Sequence, residues 1–351
     1  MRTAAAERAR ARQPDAIGNA AIRPFSQLRA GFALAILAAA TFGTSGIFGS
    51  SLIKAGWSPG SAVITRIAVS AVILTIPALV QIRGRWALLR ANAGVVTAYG
   101  LVAVAGCQLF YFNAISRIPV GVALLIEYLA PVLVVSWLWI RHGRRPRRLT
   151  VAGAAIALAG LSLVLDVLGS GRIDPIGAMW ALLAAIGLAI FFMLSAAHGD
   201  RLPPVVMAWA GMCVGAVTLG VAGLAGVLPM KAAAVSVDLA GHRVSWILPV
   251  LGLSIVAASI SYLAGIGAAR RLGAKLASFI SMAEVLFAVL FAWLLLGQLP
   301  SGAQFAGGAL ILAGVVMVRL DELREDVGAA GEPALRPATR AAPKGQPARR
   351  R

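Results

Sequence analysis

The chain has 351 residues, 60% of them hydrophobic and 13% charged, with a mean hydropathy of +0.86, whereas soluble domains sit near about 45–50% apolar and about 25% charged. That composition excludes a soluble enzyme. The formal charge of +19 comes from 32 basic and 13 acidic residues, most of which lie in tails and short loops, which fits orientation against an anionic inner leaflet rather than a nucleic-acid surface.

Residues 1–30 are Ala- and Arg-rich and suggest the basic start of a signal peptide. The apolar stretch that opens at Gly31 runs to about Leu52 with no convincing cleavage site, so it reads as a retained first helix behind a cytoplasmic basic tail. Apolar runs of about 20 residues cross a hydrocarbon core of about 30 Å. They predict helices at 31–52, 61–81, 93–115, 118–140, 149–167, 175–197, 204–228, 246–268, 274–296 and 301–320. The connections are short, leaving no room for an inserted soluble domain. Residues 321–351 open with DELRED and continue Pro-, Ala- and Arg-rich, which predicts a disordered cytoplasmic tail. Cys107 and Cys213 fall inside apolar runs without disulfide or metal-ligand spacing, and no cofactor is expected.

With the N-terminus inside, the inner loops and tails hold 26 Lys/Arg against 5 outside, and the strongest local element is Arg141 to Arg148, RHGRRPRR. This asymmetry predicts that both termini are cytoplasmic. The stretch from Ala114 (AISRIPVGVALLIEYLAPVLVVSWLWI) aligns with that from Gly267 (GAARRLGAKLASFISMAEVLFAVLFAWLL) at an offset of 153, which superposes Arg117 on Arg270. At an offset of 154, Gly153 and Gly160 meet Gly307 and Gly314. Two repeats, 31–167 and 175–320, therefore each contain five helices. An odd number makes the second enter the bilayer from the opposite side. The expected fold is an all-α polytopic membrane protein of ten transmembrane helices in two inverted five-helix repeats.

Two carboxylates lie deep in predicted helices, Glu127 in the fourth and Glu284 in the ninth, where a charge costs about 2.5–3.5 kcal/mol. The repeat offset puts Glu284 on Pro131, one turn from Glu127, so both acids belong to one face of pseudo-equivalent helices and are expected to share a cavity. They are either hydrogen-bonded structural acids or a proton or amine site. Pro131 kinks the fourth helix and frees the Glu127 carbonyl. The third helix carries Gln108, Tyr111 and Phe112 at helix-face spacing together with Asn113, and the offset lays Ser261 on Gln108; Ser254 and Tyr262 follow on the eighth. Ser254 reads as an interhelical hydrogen bond. Thr41, Thr44 and Ser45 cluster on the first helix, where bonding to the local backbone is the plain expectation. Arg66 either snorkels to the outer interface or receives a substrate carboxylate by bidentate pairing, with Trp209 near the matching place in the seventh helix. The glycines at 153/160 and 307/314 fit close helix packing. No nucleophile with a neighbouring base, HExxH, Walker or dinucleotide motif occurs, so an enzyme is not expected and any transport would be secondary.

The two repeats, ending in APVLVVSWLW and AEVLFAVLFAWLLLGQ and followed by the paired-glycine helices, resemble EamA domains of the drug/metabolite transporter superfamily over about residues 31–320. IPVGVALLIEYLAP is similar to the threonine/homoserine exporter branch. The resemblance implies a multi-pass inner-membrane protein with a central cavity lined by helices one to four and six to nine. It implies export of small polar metabolites, with amino acids the leading class and protons a candidate counter-ion. The alternatives are a drug-efflux carrier of the same fold and a membrane subunit that binds or regulates without transporting. The partners expected are a small-molecule substrate and the lipid bilayer, with a homodimer left open and no nucleic acid.

Overall fold

A computed structural model describes residues 25–330 apart from 116, 119, 144, 167–173, 198–201 and 298. Of the tails expected at 1–30 and 321–351, residues 1–24 and 331–351 lie outside the described residues. The contacts group Arg23–Asp321 into one compact unit.

Among the described residues ten long helices occur, the last running past the end of this unit: α1 (Phe25–Gly43 and Ser45–Lys54), α2 (Pro59–Ile82), α3 (Ala93–Ala98, Tyr99–Gly106 and Cys107–Ile115), α4 (Val120–Glu127 and Ala130–His142), α5 (Arg148–Val164), α6 (Pro175–Ala197), α7 (Pro204–Leu224), α8 (Ile247–Leu251, Gly252–Ile260 and Ser261–Leu272), α9 (Ala274–Ser281 and Ala283–Leu296) and α10 (Gly302–Ala330). Among the described residues nine spans have the length and apolarity to cross a membrane, and α5, at 17 residues, is the shorter one. Their ends follow local chemistry. Ser58 caps α2 by accepting from the Ser61 N–H, with Pro59 in the first turn, where a missing N–H costs nothing. Gly143 and Gly297 end α4 and α9 in the left-handed conformation, at φ 69° and 67°, which glycine adopts without strain.

Four features depart from the expected spans. α1 starts at Phe25 rather than Gly31 and breaks at Thr44. A short helix, Trp86–Ala91, precedes α3. Strands β1 (Ser236–Leu239) and β2 (His242–Ser245) form an antiparallel hairpin between α7 and α8. Its turn puts Ala240 and Gly241 at φ 54° and 80°, the two positive values that a tight hairpin needs. Finally, α10 continues to Ala330 through residues expected to be disordered. Asp321 is the reason: it is buried, accepts a short hydrogen bond from the Thr150 hydroxyl of α5, and lies 3.8 Å from Lys275 of α9.

The repeat shows in matching irregularities. The π-helical segments Tyr99–Gly106 and Gly252–Ile260 occupy corresponding places in α3 and α8, and the breaks after Glu127 and Ser281 correspond in α4 and α9. At the α5–α10 seam, a Cβ on Gly160 would lie 2.5 Å from the Gly307 carbonyl oxygen, and one on Gly314 would lie 2.5 Å from that of Gly153. Only glycine permits this approach. The contacts thus pair 153 with 314 and 160 with 307, although the sequence equates 153 with 307 and 160 with 314. That exchange requires antiparallel helices related by a twofold axis perpendicular to both, lying in the bilayer plane, and so an inverted repeat.

Candidate functional site

A cavity of about 750 Å³ runs between α1, α2, α3, α4, α6, α8 and α9. Ile53, Leu165, Leu299 and Gln304, near the ends of α1, α5 and α9 and the start of α10, line one end of it, where Leu299 is 80% exposed. At the other end α1 lies flat on α8, where a Cβ on Gly31 would sit 2.8 Å from the Leu272 side chain. The exposed lining thus lies at one end of the cavity, and the close α1–α8 packing at the other.

The π segments help to place the polar lining. A π turn bonds i to i+5, so it shifts the phase of the helix that follows. Cys107 and Gln108 come directly after the π segment of α3, and Ser261 and Tyr262 directly after that of α8; all four line the cavity. Gln108 lies beside the Tyr262 hydroxyl, and the Ser261 hydroxyl donates to the Ala38 carbonyl at 3.2 Å.

Glu127 and Glu284 line the same cavity, and their partners differ. Glu284 Oε2 accepts a 2.7 Å hydrogen bond from the Tyr128 hydroxyl, whereas Glu127 Oε1 faces the Cys107 thiol at 3.5 Å, a weak donor. Arg66 is 5% exposed and turned inward. Its Nη2 donates to the Ala257 carbonyl at 2.7 Å, and its guanidinium stacks over Phe42, 4.8 Å from the ring centre. No carboxylate lies within 4.0 Å of it among the described residues. The wall of one cavity thus holds a buried arginine and two half-buried acids.

Of the residues singled out in the sequence, Arg66, Gln108, Tyr111, Glu127, Ser261 and Glu284 line the cavity, and Asn113, Pro131 and Trp209 do not. The Trp209 indole N–H donates to Thr75 at 3.0 Å, fixing α7 to α2 rather than facing a ligand. Asn113 turns back to its own helix, donating to the Leu109 carbonyl at 2.8 Å. Pro131 sits in the first turn of Ala130–His142, where proline is tolerated, and so restarts α4 rather than kinking an unbroken helix. Arg66 does not snorkel. Thr41 and Thr44 bond to carbonyls of their own helix, Leu37 and Thr41, at 2.7 Å each. Tyr128 was not singled out. Its signal is its place next to Glu127 at the break in α4, which lets two consecutive side chains reach one cavity.

These features define a class: a helical membrane transporter with a buried, charged central cavity. The EamA-like transporter family matches residues 29–166 and again 175–320, and the chain belongs to that family. Curated relatives include an uncharacterized inner membrane transporter, YicL, of Salmonella typhimurium, 26% identical over 67% of this chain and 76% of the relative. A probable terminal-alkyne amino-acid exporter of Streptantibioticus cattleyicolor is 26% identical over 58% of this chain and 65% of its own. An uncharacterized transporter, YwfM, of Bacillus subtilis is 25% identical over 62% and 70%. A solved crystal structure superposes with a TM-score of 0.67 over 84% of this chain and 98% of its own, at 24% identity, which is a likeness of fold.

Proposed function

We propose that this transporter exports small metabolites carrying both an amine and a carboxylate, amino acids above all, across the inner membrane in exchange for protons. The observation that carries the reading is the presence of Arg66, Glu127 and Glu284 in the wall of one cavity. Arg66 is the anchor for the carboxylate, and the acids are the anchors for the amine or a proton. The relative described as a probable amino-acid exporter supports this substrate class. Both termini are cytoplasmic in this reading, because 26 Lys/Arg lie on that side against 5 on the other. The cavity then faces outward, as after release of an exported substrate.

The test uses everted membrane vesicles with and without the full chain, and a mixture of radiolabelled L-amino acids as probe. Accumulation should depend on the protein and on an imposed proton gradient, and Glu127→Gln should lower it while leaving expression intact. Accumulation equal to that of control vesicles would overturn the amino-acid reading. Accumulation indifferent to the proton gradient would make the protein a uniporter.

A further inference from the structure

We propose that Ser70 and Ser259 are positioning residues for Arg66: their hydroxyls lock the joint between α2 and the π segment of α8, and that lock aims the guanidinium into the cavity. The use of the guanidinium for a substrate carboxylate rests on the reading above. Its aim rests on geometry alone.

Arg66 and Ser70 stand one turn apart on α2, and both reach carbonyl groups of the π segment Gly252–Ile260. Arg66 Nη2 donates to Ala257 at 2.7 Å, and the Ser70 hydroxyl lies 2.8 Å from the Ser254 carbonyl oxygen. The Ser259 hydroxyl donates to the same Ser254 oxygen at 2.9 Å from five residues further along, the span of one π turn. The Ser70 hydroxyl also lies 2.6 Å from the Arg66 carbonyl oxygen. It has one proton to give, so a single group couples the backbone of Arg66 to that of α8. Both serines are buried, which leaves their hydroxyls no water to turn to.

The other repeat has the same joint, locked in another way. Laying Pro59 on Pro204 matches VSAV from Val69 with VGAV from Val214, and sets Arg66 on Gly211 and Ser70 on Gly215. α7 packs on the π segment of α3 as α2 packs on that of α8, and there the fit is steric. A Cβ on Gly211 would lie 2.5 Å from the Tyr99 ring, and one on Gly215 would lie 3.1 Å from the Val104 side chain. No α7 side chain donates to that π segment among the described residues. The π segment starts with Tyr99 in α3 and with Gly252 in α8. Large and small are thus exchanged: a ring on the π segment faces a glycine of α7, whereas the π segment of α8 starts with glycine and α2 carries the arginine. Without the ring, the α2–α8 joint holds its register by hydroxyl bonds instead of by shape.

The exchange leaves Arg66 fixed but available. One N–H is on Ala257 and one face is on the Phe42 ring, 4.8 Å away. None of its other N–H groups has a hydrogen-bond partner among the described residues, and the residue lines the cavity. A fork held at one prong and one face offers its remaining donors in a fixed plane, the geometry that a carboxylate matches. With glycine at position 211, the two repeats contribute one such fork rather than two.

The test reads the guanidinium and the ligand separately, in the full chain. In lipid nanodiscs, nitrogen NMR spectra of isotope-labelled arginine side chains, with Arg66 assigned by its loss in Arg66→Lys, should show two distinct Nη signals for Arg66, because a held fork does not rotate. Ser70→Ala with Ser259→Ala should merge them. A single averaged signal in wild type, or signals that stay distinct in the double variant, would overturn the positioning role. Ser70→Gly, which copies Gly215, should broaden the pair; where the double variant does not reach the membrane, unbroadened signals in Ser70→Gly overturn the role instead. In everted vesicles, uptake of a radiolabelled L-amino-acid mixture is competed with unlabelled L-amino acids or with their amides, which keep the amine and lack the carboxylate. In the double variant the competing concentration of the acids should rise about tenfold, the order of a hydrogen bond to a charged group, and that of the amides should stay. An equal rise for both would make the lock merely structural and overturn the proposal. Acids and amides that compete equally in wild type would overturn the carboxylate reading of Arg66, with merged signals still upholding the lock.

Discussion

Arg66 shows what a residue's type reveals and what only its neighbours decide. A lone arginine near a helix end has two readings, because the sequence does not say which way that face of α2 turns. The carbonyl that settles it belongs to Ala257, 191 residues away. Glu127 and Glu284 were legible because an acid in an apolar run is costly wherever it points. Trp209 and Asn113 lie outside the cavity wall, where Thr75 and Leu109 engage them, because a sequence displays polar atoms without their partners. If Arg66 binds a carboxylate through its planar fork, Arg66→Lys keeps the charge and loses the two-pronged geometry. The half-saturating concentration for carboxylate-bearing substrates should then rise about 10- to 100-fold, the loss of about 1.5–3 kcal/mol expected for a charged hydrogen bond, with protein yield unchanged. Uptake measured against concentration checks this, and an unchanged half-saturation would remove Arg66 from substrate binding.

The ten spans were read to within a few residues in most cases because each is a run of apolar side chains as long as the bilayer is thick. Of the breaks inside them, the one in α4 was marked by Pro131, which stands in the first turn after it. Thr44 and Met282 lie beside no residue that forbids a helix, and the π segments of α3 and α8 are as apolar as the turns around them. The β1–β2 hairpin was missed because four-residue strands are too short to show an alternating pattern. The glycine seam was legible from spacing alone, and its test is steric. Gly160→Ala and Gly307→Ala would each drive a methyl group to 2.5 Å from a carbonyl oxygen, so each should destabilise the fold by about 1–3 kcal/mol. Gly46→Ala meets nothing within 4 Å and should leave the melting temperature in detergent unchanged. The Thr150–Asp321–Lys275 cluster makes a second element-scale prediction. Asp321→Ala removes the acceptor of a buried hydrogen bond and the partner of Lys275, and should cost about 1.5–3 kcal/mol by untying the end of α10 from α5 and α9. Ordinary stability in that variant would make the extended end of α10 dispensable.

Orientation belongs to the molecule as a whole, and reporter fusions at Gly143 and after Ala330 should both report the cytoplasm, given 26 basic residues on that side against 5; an external signal at either would reverse the direction assigned to the open cavity. The rim of that cavity carries a consequence for motion. On one side, Trp57 donates to the Ala233 carbonyl at 2.8 Å and Ser58 to that of Pro229 at 2.6 Å, while Leu52, Trp57, Val237 and Leu253 share one apolar cluster. On the other side, Arg117 pairs with Asp174 at 3.4 Å, Phe110 stacks on Trp180, and Gly177 lies under Ile118. The first block joins α1 and α2 to α7 and α8, and the second joins α3 and α4 to α6, so each draws helices from both repeats. The contacts at the rim are cut across the duplication rather than along it. A chain severed between α5 and α6 would yield two halves of which neither owns either set of contacts complete, and transport should return only where both are made together and interleave.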